Sequence, residues 1–99
     1  MKTTITTTAL LFLLTVAPAL QASNEASATA SLYQQHCASC HGSDRLGVTG
    51  PALLPENLSR LSRDEATRVI REGRAATQMS GYESVLSEDE IGQLVDYIY

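Results

Sequence analysis

The sequence predicts a small all-α domain with three main helices, and three observations predict it. Apolar residues recur at helical spacing in three separate segments, two of which open on a capping box. No stretch alternates apolar and polar residues as a half-buried strand does. The remaining apolar residues fall in two loops that carry glycines and show no period. A chain of 99 residues has room for one such domain.

The N-terminus has the pattern of an export signal. Lys2 supplies a basic n-region, residues 9–14 with Val16 and Ala17 form a short apolar core, and Leu20-Gln21-Ala22 offers small or apolar residues for cleavage. We therefore expect a signal peptide over 1–22, a mature domain over 23–99, and a periplasmic location. An apolar run of about a dozen residues falls short of the ~20 that span a bilayer, so no stable membrane insertion is expected after signal removal.

Residues 23–28 are small and polar and read as a frayed lead-in. From Thr29 the positions Thr29, Leu32, Tyr33, His36, Cys37 and Cys40 fall on one helical face, which predicts a first helix ending near His41-Gly42. Residues 42–61 contain Gly42, Gly47, Gly50, Pro51 and Pro55 and read as a functional loop. Ser62-Arg63-Asp64-Glu65 is a capping box for a second helix, with Ala66, Val69 and Ile70 inward and Gly73 as its stop. A second irregular stretch, 74–86, holds Met79. Ser87-Glu88-Asp89-Glu90 opens the last helix, with Ile91, Leu94, Val95 and Ile98 on its buried face.

The expected mature chain has 77 residues, no tryptophan and no phenylalanine, and its aromatics are Tyr33, Tyr82, Tyr97 and Tyr99. Cores of this size seldom suffice without a disulfide, metal or other staple. Six arginines face eleven carboxylates, and lysine is absent after Lys2. This balance argues against nucleic acid and anionic membranes as partners.

The staple is indicated by His36-Cys37-Ala38-Ser39-Cys40-His41, which holds every cysteine and histidine of the chain. Cys37-x-x-Cys40-His41 is the signature of covalent c-type haem attachment. Two sulfurs three positions apart on one turn can meet the two vinyl groups along a porphyrin edge, and His41 is then placed to bind the iron. One haem c per chain is expected. Three rivals fit less well. A redox dithiol of thioredoxin type sits in a βαβ setting, and no strand is predicted. Structural zinc joins two separated ligand pairs, whereas these four residues are adjacent. A plain disulfide leaves His41 unexplained.

Met79 is the sole methionine after Met1 and lies in a glycine-containing loop. His36 adjoins Cys37 on the proximal side and no lysine is available, so Met79 is the candidate sixth ligand of the iron opposite His41. The competing reading is a core methionine filling a gap. His36 reads as a helix-face residue near the haem edge. The arginines at 60, 63, 68 and 71 read as a solvated face, while Arg45 and Arg74 flank the loops as weak candidates to pair a haem propionate, against the leading reading of surface placement without a role.

These residues resemble the single-haem class I cytochromes c over nearly the whole mature chain. The likeness lies in Leu32-Tyr33, Cys37-Ala-Ser-Cys40-His41-Gly42, Gly50-Pro51-Ala52-Leu53, Met79 in its loop, and the closing helix with Tyr97. It implies a small class I cytochrome c fold around one haem, with the carbonyl of Pro51 accepting the free N–H of His41. It also implies a crossing of the first and last helices at Tyr33, Leu94 and Tyr97. Two departures stand out. Thr29 occupies the place of the usual crossing glycine, so Gly92 is an alternative crossing point, and Met79-Ser80 replaces Met-Pro. Asp44 to Gly47, Gly50 to Leu58 and Gly73 to Tyr82 are more narrowly similar to the periplasmic cytochrome encoded beside dissimilatory nitrite reductase, and to haem c domains of haem d proteins. That likeness implies electron delivery to nitrite reductase or to an enzyme maturing haem d.

The expected function is a periplasmic one-electron carrier, not an enzyme, docking through an apolar patch of Ala38, Val48, Pro51 and Gly81. Two alternatives are a small-ligand or peroxidase-like protein in which Met79 leaves the iron, and a haem-bearing subunit of a larger respiratory complex.

Overall fold

The computed structural model describes Met1 and residues 19–99. Within them the helices are α1 (Ala19–His36), α2 (Ala38–His41), α3 (Arg63–Glu72) and α4 (Glu88–Ile98), with no strand. One antiparallel bridge joins Gly73 to Ser80. The all-α expectation holds. Of the expected signal segment, 19–22 are the first turn of α1, and 2–18 lie outside the described residues. No helix among the described residues is long and apolar enough to cross a membrane.

The first helix differs from expectation at both ends. It begins ten residues before Thr29, because the exposed 20–28 segment is rich in Ala, Ser, Glu and Gln and tolerates helix without an apolar face. It also stops at His36 rather than running on to His41. Cys37 (φ −116°, ψ −36°) is the junction at which the tighter turn α2 starts. There Cys40 N–H donates to Cys37 O at 3.2 Å rather than to His36.

The core lies where α1 and α4 cross. Tyr33 and Ile91 are fully buried, and Leu94, Val95 and Ile98 extend the same face of α4, as its spacing predicts. The rings of Tyr33 and Tyr97 lie 5.2 Å apart at 42°. Gly92 is not the crossing point, since a Cβ there would meet nothing within 4 Å. Thr29, 5% exposed, takes that role. Its hydroxyl lies 3.0 Å from Glu25 O and 3.2 Å from Gln93 Oε1, so a polar contact joins the helices where the family's glycine would let backbones touch.

The two caps are unequal. Ser87 and Glu90 form the full reciprocal box, with Glu90 N–H donating to Ser87 Oγ at 3.2 Å and Ser87 N–H to Glu90 Oε2 at 2.8 Å. At α3 only half of the box forms: Ser62 Oγ accepts from Glu65 N–H, while the Glu65 carboxylate accepts from Arg68 at 3.1 Å. Arg71 grips Glu88 with both arms of its fork, tying the end of α3 to the start of α4 and holding the Glu88 carboxyl below its ordinary range.

Candidate functional site

Residues 42–53 look irregular in sequence because their backbone serves the end of α2. The last carbonyls of a helix lack partners inside it. Here Cys40 O accepts from Val48 N–H at 3.0 Å and Gly50 N–H at 2.8 Å, and His41 O accepts from Gly47 N–H at 2.7 Å. Gly47 sits at φ +87°, and Gly50 passes so close to His41 that a Cβ there would lie 3.1 Å from ring atom Cε1. Pro51 then places its carbonyl 2.8 Å from His41 Nδ1. With Nδ1–H donating to that carbonyl, Nε2 keeps its lone pair for a metal.

Cys37, Cys40, His41, Pro51 and Met79 all line one cavity of about 810 Å³. The remaining wall is mainly apolar, with Leu53, Leu58, Ile70 and Leu94 among its side chains. A volume in the range of about 300–1,000 Å³ with mostly apolar walls suits a sizeable organic cofactor. The two cysteines are not joined to each other, and Cys40 is exposed while Cys37 is half-buried. Among the described residues no three or more His, Cys, Asp and Glu side chains converge on a point, so the tetrahedron a zinc reading needs is not built. Two thiols, an oriented imidazole and a thioether on one apolar cavity fit a covalently held haem.

Met79 is half-buried and sits in a braced segment. Arg74 N–H donates to Met79 O at 3.0 Å, and Met79 N–H donates to Thr77 Oγ1 at 3.2 Å. His36 also lines the cavity, with Tyr82 edge-on to its ring at 5.7 Å.

Arg60, Arg63 and Arg68 are exposed and Arg71 partly so, as a solvated face requires, while the two propionate candidates separate. Arg45 is turned away: it donates to Tyr97 O at 2.9 Å and lies 5.3 Å over the Tyr97 ring, sealing the end of α4. Arg63 pairs with Asp96 and covers the Tyr99 ring at 5.0 Å. Arg68 and Arg71 hold Glu65 and Glu88. Arg60 is exposed as expected and also lines the cavity together with Arg74. No periodic signal marks Arg60, because it lies in a loop. Ala38 is buried at 9%, so it cannot belong to an external patch, whereas Val48 is 70% exposed.

Comparison with known proteins agrees with this geometry. Residues 24–98 match the family described as cytochrome c oxidase, cbb3-type, subunit III. The chain is 40% identical over 87 residues to cytochrome c55X of Stutzerimonas stutzeri, covering 88% of this chain and 76% of that protein. It is 52% identical over 69 residues to dihydro-heme d1 dehydrogenase of Pseudomonas aeruginosa, covering 70% of this chain but only 14% of that much longer protein. Among solved structures, the c-type cytochrome NirC superposes with a TM-score of 0.67 at 35% identity, over 84% of this chain and 92% of that one. The fold and the thiol–imidazole cavity are those of a c-type cytochrome. The chain belongs to the family whose model spans residues 24–98, together with the cytochromes c55X, and its cofactor is haem c with its iron.

Proposed function

We propose that this c-type cytochrome is a periplasmic one-electron carrier in which Cys37 and Cys40 would hold the haem by thioether bonds and His41 and Met79 would ligate its iron. The observation that carries this reading is the shared cavity: both thiols, an imidazole with Nδ1 committed to Pro51, and the thioether of Met79 line one apolar space. The haem supplies reversible one-electron exchange between ferrous and ferric iron. The chain's own residues do the rest. Pro51 keeps the His41 ring in one tautomer and orientation. The Leu53, Leu58, Ile70 and Leu94 side chains exclude water from the cavity. Arg60 and Arg74, which line it and have no carboxylate partner in the described residues, are assigned to the propionates.

The basic and apolar residues before Ala22 support an exported location. The relatives support a role beside haem d1 chemistry, with nitrite reductase or a haem d maturation enzyme as partner. A second reading is favoured by one observation: a segment of this length is built into a longer dehydrogenase, so the domain can also act as the electron module of a larger assembly.

Absorption spectroscopy of the purified protein tests the ligand set. The oxidised wild type should show the long-wavelength band of methionine–iron ligation, and Met79→Ala should lose it and gain CO binding in the reduced state. A band that persists in Met79→Ala would overturn the assignment.

A further inference from the structure

Tyr82 connects the two halves of the site, and we infer that it is a positioning residue that holds Met79 at a set distance from the attachment motif. The inference rests on the ligand reading above. Tyr82 follows Met79 by three residues, and its hydroxyl donates to His36 O at 2.9 Å, the carbonyl immediately before Cys37. That carbonyl is available because the break at Cys37 removes its helical partner. The Tyr82 ring lines the cavity and meets the His36 ring edge-on at 5.7 Å, so two separate contacts tie it to the end of α1.

The link from Tyr82 back to Met79 has little slack. Tyr82 N–H lies 3.0 Å from both Ile70 O and Arg71 O, fastening the segment to the end of α3. A Cβ on Gly81 would stand 2.5 Å from Arg71 O, and one on Gly73 would stand 2.6 Å from Met79 O. Both contacts are to backbone, which cannot swing aside as a flexible side chain can. Arg74 N–H on Met79 O and the Gly73–Ser80 bridge complete the brace. The residue after Met79 is serine, which lacks the fixed φ of a proline, so the constraint on the sulfur comes from this brace and its anchor at His36.

A purely structural role would predict only a loss of stability when the hydroxyl is removed. Tyr99 provides the control, since its hydroxyl donates to Leu61 O at 2.6 Å and touches neither the Met79 segment nor the attachment motif. The test uses the haem-loaded proteins and measures CO association with the reduced form, the long-wavelength band of the oxidised form, and thermal stability. Tyr82→Phe should bind CO about two- to tenfold faster than wild type, as one lost hydrogen bond frees the sulfur more often, and should show a weakened band. Tyr82→Leu, which also removes the ring contact, should exceed it. Tyr99→Phe should lose comparable stability and leave both signals at wild-type values. Equal, wild-type CO rates in Tyr82→Phe, Tyr82→Leu and Tyr99→Phe would overturn the inference. If instead wild type binds CO as fast as Met79→Ala, the ligand reading itself fails, and the inference falls with it.

Discussion

At the scale of single residues, the site depends on groups whose alternatives are closed off. Tyr33 is the clearest case. It is fully buried between α1 and α4, and its hydroxyl donates to Gly42 O at 2.8 Å, just past His41. Burial is the main cause that pushes its phenol up from 10.0 to about 12. The folded state therefore favours the protonated form. The stability this contributes is present in full below pH 10 and is lost as pH rises through about 12. Tyr33→Phe should cost about 1 kcal/mol at neutral pH through the lost hydrogen bond. It should also flatten the fall in stability over that alkaline window, as followed by denaturant titration at several pH values. Arg60 and Arg74 make the second residue-scale prediction. A guanidinium near the haem disfavours the more positive ferric state, so Arg60→Gln and Arg74→Gln should each lower the reduction potential. A shift of about 20–60 mV by protein-film voltammetry is expected, where 59 mV is a tenfold change for one electron. Arg45→Gln should leave the potential near wild type, because its guanidinium lies outside the cavity, against Tyr97.

At the scale of elements, local chemistry predicted the second half of the chain well. Ser62 and Ser87 both cap helices, Gly73 ends α3 at φ +79°, and the inward face of α4 is the one its spacing requires. The caps differ in strength, because Ser87 shares a two-way exchange with Glu90 while Ser62 makes a single bond. Each serine hydroxyl accepts one such bond at 3.2 Å, so Ser87→Ala and Ser62→Ala should each destabilise by about 1 kcal/mol, measured by thermal denaturation, while the bond from the Ser87 N–H to Glu90 survives in the first. The first helix was less predictable. Its start is set by a polar segment with no face to read, and its stop by a junction at Cys37 that lies in mid-pattern. The break has a purpose that only the assembled chain reveals. It starts the tight turn that carries Cys40 and His41 and frees the carbonyl of His36 for Tyr82.

At the scale of the whole molecule, a small core at the crossing of α1 and α4 opens onto a cavity. The residues that would fill the centre of a larger domain line a space of about 810 Å³. Covalent attachment then makes the cofactor part of the core, which is how so short a chain can hold a stable fold. The exterior is acidic and lacks lysine after Lys2. Leu46 at 67% and Val48 at 70% exposure stand in the loop that wraps His41, and Pro51 beside them is exposed. Docking through this apolar loop should make electron transfer only modestly sensitive to ionic strength. Stopped-flow rates with a redox partner that fall steeply between low and high salt would exclude such a surface.

The attachment motif, the candidate ligands and the helix caps were legible in the sequence because each is a matter of short spacing. Cys37, Cys40 and His41 act as one turn, Ser87 and Glu90 act as one cap, and the face of α4 repeats every three or four residues. Gly50-Pro51 was legible only through resemblance; the structure supplies its reason, the approach of Gly50 to the His41 ring and the carbonyl offered to Nδ1. Contacts between distant parts of the chain could not be read in this way. Arg45 reaches Tyr97 across 52 positions, Tyr82 reaches His36 across 46, and Arg60 joins the cavity from an aperiodic loop. Periodicity tells a residue which side of its own helix it occupies. Which residue meets it there depends on how the loops return, and that is decided only when every buried polar group and every apolar face finds its partner at once.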